Sequence, residues 1–248
     1  MSQVLTQIES GVLEVALNRP EKKNALTQGM YSDMAQSLRA AKSDPEIRAV
    51  LFYGYGGNFT SGNDLMDFIQ NPPDSPDTPV MQFIHETLEF EKPIVVVVQG
   101  YAVGLGTTFL LHADLVYAAE SARFQLPFVN LGLVPEFGAT FLLPHLFGNV
   151  RASELLLLGE VFGPDQALEM GLVNAVFPDH EILARAREKA RVLASKPASS
   201  VMATKRLLRA PDRDLVLQAV AEEGVAFAEQ LASPEFAEAA QAFFKRKS

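Results

Sequence analysis

The chain contains no cysteine and no tryptophan. Without thiols it has neither a disulfide framework nor a thiolate nucleophile. Histidine is scarce as well, with His85, His112, His145 and His180 as the whole supply. No two of them stand in an HExxH or other zinc-ligand spacing, so no protein-bound metal is expected. Excess positive charge is missing too. The net charge is −9 and the isoelectric point about 5.0, which argues against a nucleic-acid partner. Long apolar runs are absent: Ile94–Val98 is among the longest, far below the roughly 20 residues that a membrane span needs. The opening MSQVLTQIES alternates like a strand and shows no charged-then-apolar leader. A cytoplasmic chain with no membrane partner is expected.

What is present suffices for a substantial core, since 48% of 248 residues are hydrophobic. Val4–Ile8 and Val12–Leu17 alternate around Gly11 and predict a hairpin. Thr27 is a suitable N-cap for a helix reaching Ser43. Ala49–Tyr53, Ile94–Gln99 and Leu115–Ala119 are short apolar runs that predict buried strands separated by helical stretches, the mark of an α/β domain. From Gly163 onward the pattern turns helical. Pro164–Met170, His180–Ser195, Val201–Ala210, Arg213–Leu231 and Pro234–Lys245 follow in succession, the last with Ser233 as N-cap and Pro234 at N1. This division predicts a core over residues 1–195 and a helical C-terminal segment over 196–248. That segment carries Val225, Phe227, Phe236, Phe243 and Phe244, enough apolar bulk to pack on the core or on another subunit. Residues 71–79 hold four prolines in nine positions and predict a loop, with a lid over the acyl chain as its expected role.

Three segments can carry chemistry. Asn18–Leu26 places Arg19, Lys22 and Lys23 within five positions, which suits either a solvated turn or a phosphate site. Phe59–Leu65 (FTSGNDL) has Gly62 for a tight turn and Asp64 at a helix start. Glycine is missing where a GxSxG elbow would need it, at Phe59, so Ser61 is expected to act through its amide. Gln99–Thr108 is glycine-rich after the strongest strand, but GxGxxG fails at Phe109, which excludes a dinucleotide fingerprint. A helix opening there would aim its first N–H groups at a ligand.

In order and spacing, these segments resemble the crotonase (enoyl-CoA hydratase/isomerase) superfamily. The resemblance extends through ADLVYAAESARFQLP and NLGLVPEFGA to the C-terminal AEE and FAEAAQAF helices. It implies an α/β spiral of ββα units, assembled as trimers or as hexamers built from two trimers. It also implies an acyl-coenzyme A thioester as ligand, with coenzyme A part of the substrate and no separate cofactor. The two oxyanion amides fall by position on Ser61 and Leu105. The ligand's adenine and phosphates are expected along Lys22, Lys23 and Ala25 and along Thr60, Ser61, Gly62, Asn63, Asp64 and Leu65, with Gly104 and Phe128 lining the site. Such hydratases use two glutamates, at positions held here by Thr108 and Phe128, so hydration is expected to be weak or absent.

A carboxylate stands instead at Glu136, in the NLGLVPEFG stretch. That setting resembles the catalytic glutamate of peroxisomal-type Δ3-Δ2-enoyl-CoA isomerases, as do FTSGNDL and Leu105. Glu136 is thus the expected acid/base for shifting a 3-enoyl double bond to the trans-2 position. Phe137-Gly138-Ala139 departs from the glycine pair more often seen after that glutamate. Other enolate chemistry, a hydratase-like reaction, or a non-catalytic acyl-CoA binder remain as alternatives.

Overall fold

The computed structural model describes residues 2–72, 75 and 77–245. Six strands form the main sheet: β1 (Val4–Glu9), β2 (Val12–Leu17), β3 (Ala49–Gly54), β4 (Ile94–Val98), β6 (Leu115–Ala119) and β8 (Ala175–Phe177). Their order is β1-β2-β3-β4-β6-β8; β1 pairs antiparallel with β2, and every later pairing is parallel. Side chains alternate between two faces, and each face is covered. Val15, Leu17, Val50, Phe52, Ile94, Val96 and Val98 meet helices α1 (Gln28–Ser43) and α3 (Pro79–Leu88). The alternate set, Val12, Ala16, Leu51, Tyr53, Val95 and Val97, meets α8 (Ile182–Ala194). Coverage on both faces is why β3 and β4 are unbroken apolar runs instead of alternating ones.

The covering helices obey local rules. Thr27 caps α1 by accepting from the Met30 amide, one of four donors that a helix start would otherwise leave unpaired. Helix α8 turns Ile182, Ala186, Ala190 and Ala194 inward at four-residue spacing, and the alanines let its backbone approach the sheet closely. Arg187 fixes its rotation, donating from Nε and Nη2 to the buried Glu14 of β2, both at 2.8 Å.

A second rank of short pairings runs across the carboxyl ends of the parallel strands. It joins Leu26 to Asn63, Thr60 to Ala102, β5 (Tyr101–Val103) to β7 (Arg123–Gln125), and Phe124 to Phe162. Each turn of chain thus contributes one strand to the main sheet and one short segment to this rank. This is the expected spiral of ββα units. The two short strands β5 and β7 lie inside stretches that had no strand signature of their own.

The remaining helices are α2 (Leu65–Gln70), α4 (Leu105–Thr108), α5 (Ala139–Phe147), α6 (Asn149–Leu158), α7 (Pro164–Met170), α9 (Ala198–Arg209), α10 (Arg213–Leu231) and α11 (Pro234–Lys245). The C-terminal helices pack back on the core of the same chain. Phe227 of α10 stacks edge-on against Phe68 of α2 at 6.0 Å, and Phe236 of α11 is buried. Lys205 of α9 is 6% exposed and donates to Asp114 and to the Lys92 carbonyl, both at 2.7 Å. The expected lid at 71–79 includes residues 73, 74 and 76, which lie outside the described residues. No helix among the described residues is long and apolar enough to cross a membrane, and none of their side chains form a metal-binding cluster.

Candidate active site

Three loops leave the carboxyl ends of β2, β3 and β4 and stack on one another. Their register is set by backbone bonds: Ser61 N–H donates to the Lys23 carbonyl at 3.0 Å, Leu26 N–H to Gly62 at 2.8 Å, and Thr60 N–H to Tyr101 at 2.8 Å. Asn24, fully buried at φ 55°, is the key of this stack. Its side chain donates to the Tyr55 and Asn58 carbonyls and accepts from the Arg19 amide, while its own carbonyl accepts from the Thr60 hydroxyl. Arg19 then reaches across to Asp64 at 2.6 Å, and Asp64 caps α2 through the Met66 and Asp67 amides. Burial and this guanidinium act in opposite senses on Asp64, with the net effect of holding its carboxyl below the usual range. Arg19 stood out in the sequence only as one cation of a basic loop, and the structural part it shares with Asn24 lies in contacts with segments more than thirty residues away.

The expected oxyanion pair requires a correction. The Ser61 amide is committed to the Lys23 carbonyl and cannot serve a ligand. Two residues on, the Asn63 amide donates to no described acceptor. Gly62 makes the change of direction, at φ +83°, where a Cβ would also lie 2.8 Å from the Val103 carbonyl. Leu105, the other expected amide, stands at a helix start. It opens α4 after Gly104, whose φ 55° and ψ −120° suit glycine alone, and as first residue of the helix its N–H has no intrahelical partner. Asn63 and Leu105 line one cavity together with Glu136.

That cavity is walled by Phe68, Val80, Met81, Ile84, Phe137 and Phe227, with about 70 Å³ of free space. Glu136 retains partial exposure to it, while its carboxyl is enclosed by protein. Burial raises its pKa to about 8. The Thr108 hydroxyl, donating to Oε1 at 2.5 Å, opposes the rise, and the charge of Glu223 adds to it. Thr108 occupies a position that a glutamate holds in hydratases of the resembled type, and here its hydroxyl supports the carboxyl at 136.

Of the other expected site residues, Lys22 and Lys23 are exposed on the first loop, and Lys23 Nζ lies 4.3 Å over the Tyr101 ring. Ala25 and Thr60 belong to the stacked loops, and Leu65 begins α2. Phe128 is buried in the core and is not on the cavity wall. Its ring belongs to the packing beneath, since the chain turns into a short 3-10 helix at Val129–Leu131.

The cavity holds a second carboxylate, Glu223 of α10. Both its oxygens are engaged: Oε2 accepts from the Gly138 amide at 2.6 Å, and Oε1 from the Thr140 amide and hydroxyl at 2.7 and 2.6 Å. Two unpaired amides beside a carboxyl with one oxygen left unengaged can hold a carbonyl oxygen and exchange a proton at neighbouring carbons.

The family model for enoyl-CoA hydratase/isomerase matches residues 7–248. The chain is 32% identical to peroxisomal enoyl-CoA delta isomerase 3 of Mus musculus, with 99% of this chain and 79% of that one aligned. It is equally 32% identical to 2,3-dehydroadipyl-CoA hydratase of Escherichia coli, over 100% and 98% of the two chains. The crystal structure of an enoyl-CoA hydratase/isomerase from Pseudoalteromonas atlantica superposes with a TM-score of 0.95 at 43% identity, covering 99% of this chain and 98% of that one.

Proposed function

Because the chain belongs to the enoyl-CoA hydratase/isomerase family of the crotonase superfamily, we propose that it is an enoyl-CoA isomerase converting 3-enoyl-CoA to trans-2-enoyl-CoA. The observation that carries this reading is the count of usable carboxyls in the cavity. Hydration needs one group to activate water and another to protonate the α-carbon. A double-bond shift needs one group for both transfers. Glu223 is held by three donors, which leaves Glu136 alone able to exchange protons.

In the proposed reaction the thioester oxygen accepts hydrogen bonds from the Asn63 and Leu105 amides. Glu136 takes a proton from C2, and the electrons of that bond form the C1–C2 double bond of a dienolate while the carbonyl pair moves onto the oxygen held by the amides. On the return step this C1–C2 pair becomes the C2–C3 double bond. As the thioester carbonyl re-forms, C4 takes the proton back from the same carboxyl. Loss of one such amide typically costs roughly 3–4 kcal/mol of barrier. A raised pKa makes Glu136 a stronger base once ionised and an effective acid for the return step. The basic edge at Lys22 and Lys23 supports a place for the coenzyme A phosphates. Val150, Leu157, Leu207 and Leu208, which α6 and α9 leave exposed, support assembly of several copies as a trimer or hexamer.

The test is 3-hexenoyl-CoA with absorbance of the conjugated thioester as readout, with hydration of 2-hexenoyl-CoA and the variant Glu136→Gln run alongside. Conjugation by the wild type, little hydration and loss of nearly all turnover in Glu136→Gln is the expected outcome. Equal turnover in the variant would remove Glu136 from the mechanism. Efficient hydration would favour a two-acid reaction.

A further inference from the structure

Glu136 is followed by a corner that does not hold itself. Phe137 sits at φ 65° and Gly138 at φ 75°. Glycine tolerates that region freely, whereas a phenylalanine there is strained. Gly138 is also the N-cap of α5 and has no side chain with which to cap it. Two distant groups supply what the corner lacks. On one side the His112 ring stacks on Phe137 at 4.1 Å, and its Nε2–H donates to the Phe137 carbonyl at 2.7 Å. On the other, Glu223 arrives from α10, 85 residues along the chain, to cap α5 through Gly138 and Thr140.

Glu223 is 5% exposed and forms no ion pair with a described cation. Burying a carboxylate against two amides and a hydroxyl alone carries a desolvation penalty. An apolar side chain would pack this wall of the cavity with no such cost. We propose, resting on the isomerase reading above, that Glu223 is a positioning residue: it clamps the Phe137–Gly138 corner so that the Glu136 carboxyl faces the Asn63 and Leu105 amides. The same helix contributes Val220, Gly224, Phe227 and Ala228 to the cavity wall, so docking of α10 and alignment of the base are one event.

Charge gives the clamp a second effect. Glu136 is faced by the Thr108 hydroxyl from α4, by Glu223 from α10 and, through the field, by Tyr31 from α1. His112, behind Phe137, is kept neutral by burial, which lowers its pKa to about 3. Glu136 and Glu223 are the only ionisable side chains among the described residues lining the cavity. Removing the charge at 223 therefore moves the ionisation of Glu136 to lower pH, an effect that packing alone does not produce.

The experiment compares Glu223→Gln, Glu223→Asp and Thr140→Ala with wild type in two readouts. The first is the pH profile of kcat and kcat/KM with 3-hexenoyl-CoA. The second is the carboxylic-acid infrared band of Glu136, identified by its loss in Glu136→Gln and titrated without substrate. In Glu223→Gln, kcat falls on the order of 10- to 100-fold with KM within about twofold. Its acid limb and the infrared titration both move to lower pH. Glu223→Asp, which keeps the charge but not the reach, returns the titration towards wild type while kcat stays low. Thr140→Ala, the milder change should Glu223→Gln fail to fold, lowers kcat several-fold and leaves the titration in place. An unmoved titration in Glu223→Gln, or full kcat in Thr140→Ala, overturns the proposal. If wild type fails to conjugate 3-hexenoyl-CoA yet the infrared titration still moves in Glu223→Gln, the isomerase reading falls and the clamp stands.

Discussion

Replacing Glu136 by glutamine should stabilise the fold, and by an amount that grows with pH. The carboxyl has a pKa of about 8 in the native state against 4.5 when free. Because the native value is the higher one, the folded chain holds this proton longer than the unfolded chain does. Stability is therefore unaffected by the group below about pH 4.5 and declines as pH rises towards 8. With about 1.4 kcal/mol for each unit, the cost is under roughly 1 kcal/mol at pH 5 and approaches roughly 4–5 kcal/mol at pH 9. Glutamine fills the same space and can still accept from the Thr108 hydroxyl, so the difference isolates the charge. A chain of this size gains about 2–4 °C in Tm per kcal/mol. Glu136→Gln should thus exceed wild type by roughly 5–15 °C more at pH 9 than at pH 5. Differential scanning calorimetry of both proteins at the two pH values measures it. A Tm difference that is the same at both would mean that Glu136 ionises as an ordinary surface carboxyl, and the argument for a desolvated base would fail.

Thr108→Val keeps the volume but removes the donor that holds the Glu136 pKa down. The acid limb of kcat/KM should then rise above its wild-type position near pH 8, with activity recovering at higher pH; a limb that stays or falls contradicts the bond. Gly224 is an exposed residue inside α10, and a Cβ there would meet nothing within 4 Å. Gly224→Ala should therefore raise stability by about 0.5–1 kcal/mol through helix propensity. Gly224→Leu should raise KM most for longer acyl chains, and an unchanged ratio of decenoyl- to hexenoyl-CoA turnover would take this wall out of the acyl path.

Much of this protein could be read before any fold was known, and the readable parts share a cause. Helix α1 starts after Thr27, α7 spans Pro164–Met170 and α11 follows Ser233 because caps, prolines and glycines act over three or four residues. Strands β3, β4 and β6 were legible for a similar reason, as burial on both faces leaves a contiguous apolar run, whereas the three-residue β8 was too short to show one. Glu136 was legible as the only carboxyl in its stretch of chain. The sequence by itself thus determined the main strands, the well-capped helices and their order, and it singled out Glu136 as the candidate base. It did not determine which amide faces the ligand. Ser61 and Asn63 lie on the same loop, and only the register that puts the Lys23 carbonyl against Ser61 leaves Asn63 unpaired. Nor did it reveal that Glu223 would cap α5 or that Thr108 would meet Glu136, since these partners come from other turns of the spiral. A hydrogen bond is allotted by proximity, and the proton affinity of a buried carboxyl depends on everything that surrounds it. Those are properties of the packed chain, which only the tertiary structure decides.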